Sequence, residues 1–135
     1  MKFVRIVFIS AGIWGIVVLV PLYWLVDLTG YRYALPNQPE FFYGFLSVAM
    51  AWQIAFLVIG SNPTRLRPLM VPAIIEKIGY VLTVVMMHNG EALLSRDVLV
   101  VVPDLLLGIL FILALAETPT SNQILPQATA RSSGV

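Results

Sequence analysis

Four apolar runs occupy most of this chain, and each has close to the ~20 residues that an α-helix needs to cross the hydrocarbon core of a bilayer. The runs cover residues 3–26, 41–59, 69–87 and 98–116, and only short polar pieces separate them. A helix of this length is about as long as the core is thick, at ~1.5 Å of rise per residue. The sequence therefore predicts an all-α integral membrane protein with four spans.

The composition agrees with a membrane protein. Hydrophobic residues make up 59% of the chain and charged residues 11%, against roughly 25% charged residues in a soluble domain. The chain has no cysteine, which excludes disulfides and thiolate metal sites, and its net charge of +1 gives no reason to expect a nucleic-acid partner. The partner that the composition predicts is the lipid bilayer.

The first run is too long for the apolar region of a signal peptide, so we expect it to be retained as a helix. The cations then predict the orientation of the chain. Most of them fall on the side that holds the N-terminus, namely Lys2, Arg5, Arg65, Arg67 and Arg131, whereas Arg32 and Arg96 fall on the other. Because cytoplasmic loops carry the excess of lysine and arginine, both termini are expected in the cytoplasm and the protein in the inner membrane.

The connections between the runs are short, which makes an up-down-up-down four-helix bundle the expected architecture. Small residues at a spacing of four, Ala11 and Gly15 in the first run and Ser47, Ala51 and Ala55 in the second, favour close helix packing. The spacing leaves open whether the partner helix belongs to this chain or to another. After the four-helix domain of residues 1–117, residues 118–135 form a polar cytoplasmic tail that we expect to lie against a partner chain.

Charged side chains in the middle of a span cost at least ~2.5 to 3.5 kcal/mol each to insert, so each requires an explanation. Counted from the helix ends, the inner polar residues fall at similar depths and predict a buried polar cluster of Gln53, Glu76, Lys77, Tyr80 and Asp104. One interpretation is structural: Lys77 reaches Asp104, and Glu76 bonds Gln53 or a hydroxyl. The other is functional: a buried carboxylate transfers a proton or binds a cationic group of a ligand.

The remaining polar residues have ordinary interpretations. Arg65 and Arg67, near the inner interface, are expected to contact lipid headgroups. His88 is the only histidine and fits a helix end better than a ligand, so no metal site is predicted and any cofactor is left undetermined. No catalytic motif is present.

Part of the chain resembles a group of small four-helix bacterial membrane proteins to which no activity is assigned. The resemblance lies in residues 42–45, 51–56 and 67–73 and in the pair Glu76-Lys77, from the second run into the third. It implies the fold and no functional residue. Small multidrug transporters need a carboxylate in the first helix, which is absent here. The sterol-isomerase-like four-helix fold pairs acidic residues with a tryptophan, and only Trp52, Glu76 and Asp104 resemble that combination.

Three functions remain from the sequence. The first is a non-catalytic accessory subunit of a respiratory, photosynthetic or transport assembly, with other membrane subunits as partners. The second is a protein that binds or transports a small lipophilic molecule through a buried carboxylate. The third, an intramembrane isomerase or other enzyme, has the least support.

Overall fold

The computed structural model describes residues 1–29, 39–87 and 95–120, with the side chains of residues 25–29, 39 and 95–100 excepted. These described residues form four helices: α1 (Lys2–Thr29), α2 (Pro39–Ser61), α3 (Arg67–Met87) and α4 (Ser95–Glu117). The described residues include no strand. The all-α prediction is confirmed, and each helix begins or ends within three residues of its predicted limits.

The α2–α3 connection shows how the sequence ends one helix and begins the next. The backbone N–H of Leu66 donates to the carbonyl of Asn62 at 3.1 Å, and the N–H of Arg65 donates to the Asn62 side-chain oxygen at 3.4 Å. Pro68 follows at the second residue of α3, in the first turn, where a missing N–H costs nothing. The tight turn brings α2 and α3 into antiparallel order.

The helices pack chiefly as two pairs, α1 against α2 and α3 against α4. α1 also contacts α4, and the contact of α2 with α3 is the smallest of the four. Glycines allow the α1–α2 pair to approach closely. A Cβ built on Gly12 would lie 2.8 Å from the backbone oxygen of Gln53, and one built on Gly60 would lie 2.7 Å from Ile9 Cγ1. The small residues of α1, Ala11 among them, therefore pack within this chain.

The core is aromatic at the end of the molecule where α1 begins. The rings of Phe8 and Phe111 stack with 4.3 Å between centroids, and Phe56 meets Phe111 edge-on at 4.9 Å. All three side chains are fully buried. A smaller cluster around Leu19 and Leu46 joins α1 to α2 toward the other end.

The predicted polar tail begins at a packed residue. Thr118 is buried, and its hydroxyl donates to the carbonyl of Ala114 at 2.7 Å and lies 3.9 Å from Met70 Sδ. The rest of the tail beyond Thr120, the loop after Thr29 and the segment that contains His88 lie outside the described residues.

Candidate functional site

Lys77, Asp104 and Glu76 form an ion-pair cluster between α3 and α4. Lys77 Nζ lies 2.8 Å from Asp104 Oδ1 and 3.4 Å from Glu76 Oε2. The Lys77 side chain is 6% exposed, whereas those of Glu76 and Asp104 are 21% and 20% exposed. The cation is therefore inside the bundle, and both carboxylates reach toward its surface.

The helical period of α3 explains why Lys77 is the buried member. Met70, Ala73, Lys77 and Val81 recur every three or four residues and are the buried residues of α3. Glu76 precedes Lys77 and so points about 100° away, toward the edge of that face. Gly108 of α4 lies beside the lysine stem: a Cβ built there would lie 3.6 Å from Lys77 Cβ, an ordinary packing distance.

An aromatic ring completes the surroundings of the cation. Lys77 Nζ lies 5.4 Å from the centroid of the Phe56 ring, within the ~6 Å over which a cation is attracted to the face of a ring. Phe56 belongs to the aromatic core and comes from α2. Lys77 thereby joins three helices.

The charges of the cluster do not balance. One ammonium faces two carboxylates, and Asp104 is the nearer of the two. Glu76 Oε2 is buried and accepts no hydrogen bond from any residue that the structure describes. Its 3.4 Å contact with Lys77 Nζ therefore satisfies the ion-pair distance without hydrogen-bond geometry. A carboxylate oxygen left unbonded in this way is costly to bury.

Gln53 lies apart from the cluster to which the sequence assigned it. Its side chain is buried, its Nε2 donates to the Ala49 carbonyl of its own helix at 3.0 Å, and its amide covers Gly15 of α1 so closely that a Cβ there would overlap Oε1. The similar depths of Gln53 and Glu76 therefore do not bring them together, because α2 turns this face toward α1. The expected Gln53–Glu76 hydrogen bond is absent from the described contacts.

The two aromatic residues near the cluster pack on other rings. Tyr80, the fifth residue of the predicted cluster, stacks on Phe45 of α2 with 6.2 Å between centroids. Trp52 packs on Phe56 at 6.1 Å. The first contact joins α3 to α2, and the second lies within α2.

Two arginines bind the carbonyls at the ends of neighbouring helices. Arg67 Nε donates to the Thr118 carbonyl at 2.8 Å, and Arg5 Nη2 donates to the Ser61 carbonyl at 2.9 Å. The last carbonyls of a helix have no partner within it and carry its negative end, so a guanidinium stabilises them. This role of Arg5 and Arg67 is not among the predictions from the sequence. The sequence feature that could have predicted it is an arginine in the first turn of one helix, next to the last turn of an antiparallel helix. Arg65, in contrast, is exposed.

The small residues of α2 lie on its less covered side, although the Ser47 hydroxyl is still 3.2 Å from the Tyr23 hydroxyl of α1. Ser47 and Ala51 are exposed, Ala55 is half-buried, and a Cβ built on Gly44 would meet nothing within 4 Å. The opposite face of α2, with Gln53, packs on α1. Of the two partners that the spacing left open, no described helix of this chain covers Gly44 or Ala51.

Comparison with known proteins adds no family: no family model matches this sequence, and neither the curated proteins nor the solved structures contain a significant match.

Proposed function

We propose that this chain is an integral protein of the cytoplasmic membrane, with both termini inside, that serves as a non-catalytic accessory subunit of a larger membrane assembly. Three helical segments are long and apolar enough to span a bilayer, Lys2–Trp24, Glu40–Ser61 and Arg67–Met87. Large apolar side chains are exposed on every helix, for example Ile6, Phe45, Ile75 and Leu106. Lipid solvates such surfaces, whereas water does not.

The charges at the helix ends support the orientation. Lys2, Arg5, Arg65 and Arg67 lie at the end of the molecule where α1 and α3 begin. An excess of cations at one end is typical of the cytoplasmic side.

The outward face of α2 carries the proposal of a subunit. We name this face, which consists of Gly44, Ala51 and Ala55, the small-residue face. Side chains that only contact lipid have no need to be small, but helices that associate in a bilayer use small residues to bring their backbones together. The small-residue face thus suits a transmembrane helix of another subunit.

A matched pair of substitutions tests this role. Ala51→Leu should release the chain from its assembly, because the leucine side chain separates the two helix backbones, while the fold of the chain is unchanged. Ala116→Leu makes the same change at an exposed alanine of α4 and should leave the assembly intact. Native electrophoresis of mildly solubilised membranes measures both. A wild-type chain that migrates alone, or an Ala51→Leu chain that stays in the assembly, contradicts the proposal.

A second candidate function is the binding of a small lipophilic cation, and the unbonded Glu76 Oε2 favours it. The test is equilibrium binding of tetraphenylphosphonium to the purified chain in lipid. Saturable binding that disappears in Glu76→Gln and persists in Glu40→Gln supports this function, since Glu40 is exposed at the start of α2. Absence of saturable binding to the wild-type chain rejects it.

A further inference from the structure

We infer that the cluster of Glu76, Lys77 and Asp104 is a binding site for one proton, which Glu76 holds while Lys77 and Asp104 form the ion pair. This inference goes beyond the role of a subunit and rests on the proposed membrane insertion of α3 and α4. It follows from the geometry of the cluster and the number of charges in it.

The distances assign the charges. Lys77 Nζ is nearer to Asp104 Oδ1, at 2.8 Å, than to Glu76 Oε2, at 3.4 Å, and only the first of these distances is that of a short charge-assisted hydrogen bond. Lys77 and Asp104 therefore neutralise each other. Glu76 is left with a carboxylate for which Lys77 supplies no second charge.

The position of Glu76 makes that charge costly. Glu76 is the tenth of the 21 residues of α3, so it lies near the middle of a helix whose length matches the bilayer core. A carboxylate at this depth requires a cation or a proton.

Among the side chains that the structure describes, no second cation pairs with Glu76. Lys77 faces Glu76 from its own helix and Asp104 faces it from α4, and Tyr80 follows one turn along α3. The ionisable residues of α1 and α2 stand in the end regions of those helices, with Arg5 and Glu40 as examples. A proton needs no further residue, so it is the occupant that the described contacts favour.

The ammonium lies deeper in the bundle than the two carboxyl side chains do. Both of these are about one-fifth exposed, whereas Lys77 is enclosed between α3, α4 and the Phe56 ring. Glu76 Oε2 itself is buried, which adds to the cost of a charge on this carboxyl.

Substitutions that change the number of charges test the inference. The number of protons that the cluster holds should equal the number of its carboxyl groups minus the number of its lysines. That number is one in the wild type, none in Glu76→Gln and two in Lys77→Met. It is also none in Asp104→Asn, because Lys77 then pairs with Glu76. Infrared spectroscopy of the full-length chain in phosphatidylcholine bilayers measures these protons as the C=O stretching band of a protonated carboxyl at neutral pH. Glu40→Gln is the control and should keep the wild-type band.

Isotope labelling then identifies the residue. Carbon-13 in the glutamate carboxyls should shift the wild-type band, and carbon-13 in the aspartate carboxyls should leave it in place. A wild-type protein without the band at neutral pH, a band that survives Glu76→Gln, or a shift with labelled aspartate overturns the inference. Alkaline extraction of membranes tests insertion separately, so a failure of the proposed membrane location is distinguishable. Circular dichroism identifies any variant that does not fold. The isotope-labelled wild type tests whether Glu76 holds the proton without the use of any variant.

Discussion

Arg67, the first residue of α3, donates a hydrogen bond from Nε to the backbone carbonyl of Thr118, 2.8 Å away and just past the end of α4. Arg5 makes the equivalent contact from the first turn of α1, with Nε on the Gly60 carbonyl and Nη2 on the Ser61 carbonyl at the end of α2. Each of the two helix pairs is thus joined at the same end by an arginine of its first helix.

Replacing Arg67 with methionine should lower the free energy of unfolding by about 1–2 kcal/mol, because the hydrogen bonds to the Thr118 and Leu115 carbonyls are charge-assisted and half-buried. Arg65→Met removes an exposed guanidinium from the preceding turn and should change stability by less than about 0.5 kcal/mol. Thermal unfolding in detergent, followed by circular dichroism, compares the two. Equal effects would show that the carbonyl contacts of Arg67 contribute nothing of their own.

The α1–α2 contact predicts opposite signs for one substitution at two glycines. Gly12→Ala forces a Cβ to within 2.8 Å of the Gln53 backbone oxygen, which cannot move away as a flexible side chain can, and should destabilise by about 1–3 kcal/mol. Gly44→Ala meets open space and should stabilise α2 by up to about 1 kcal/mol. Both are measured by thermal unfolding of the isolated chain, and a Gly12→Ala protein as stable as the wild type would contradict the close approach.

The sequence predicts the number of helices and much less about their rotation. Each apolar run has close to the ~20 residues of a bilayer-spanning helix, so four helices follow from counting. Depth also follows from counting: at ~1.5 Å of rise per residue the levels of Lys77 and Asp104 differ by roughly 6 Å, a distance that a lysine stem covers. The rotation of each helix about its own axis does not follow from counting, because residues that face lipid are as apolar as those that face the core. The hydrophobic pattern therefore does not distinguish the two faces of a helix.

Gln53 and Ala51 illustrate this limit. They are two residues apart in α2, and only the structure shows that Gln53 faces Gly15 and that Ala51 faces outward. The role of Arg67 was hidden for a related reason: lipid phosphates and helix carbonyls both accept hydrogen bonds from a guanidinium.

Phe111 should stabilise the fold through packing of its ring rather than through transfer of the ring out of water. Phe111→Ala leaves a cavity between Phe8 and Phe56 and is expected to cost about 2–4 kcal/mol, near the low end for phenylalanine in cores, because lipid replaces water as the reference. Phe41→Ala, at a side chain that is 66% exposed, should cost less than about 1 kcal/mol. Unfolding by a denaturing detergent titrated into a mild one measures the difference, and equal costs would contradict the aromatic core.

The orientation predicts the outcome of reporter fusions. With the cations of α1 and α3 at the cytoplasmic end, alkaline phosphatase fused after Val135 should be inactive and the same enzyme fused after Gln38 should be active. A green fluorescent protein at each site should give the reverse pattern, which controls for expression. Phosphatase activity from the Val135 fusion would overturn the proposed orientation.

Glu76 and Asp104 should each be able to serve as the partner of Lys77 when the other carboxylate is lost. Glu76→Gln should cost less than about 1 kcal/mol, because the 2.8 Å pair of Lys77 with Asp104 remains. Asp104→Asn should cost about 1–2 kcal/mol, because Glu76, already 3.4 Å from Lys77 Nζ, becomes the partner. The double variant leaves an ammonium enclosed without a carboxylate and should lose about 3–5 kcal/mol, more than the sum of the single losses. Thermal unfolding of all four proteins gives the coupling energy, with Glu40→Gln as the control for loss of an exposed carboxylate. Losses that add within about 0.5 kcal/mol would show that the two carboxylates do not substitute for each other at Lys77.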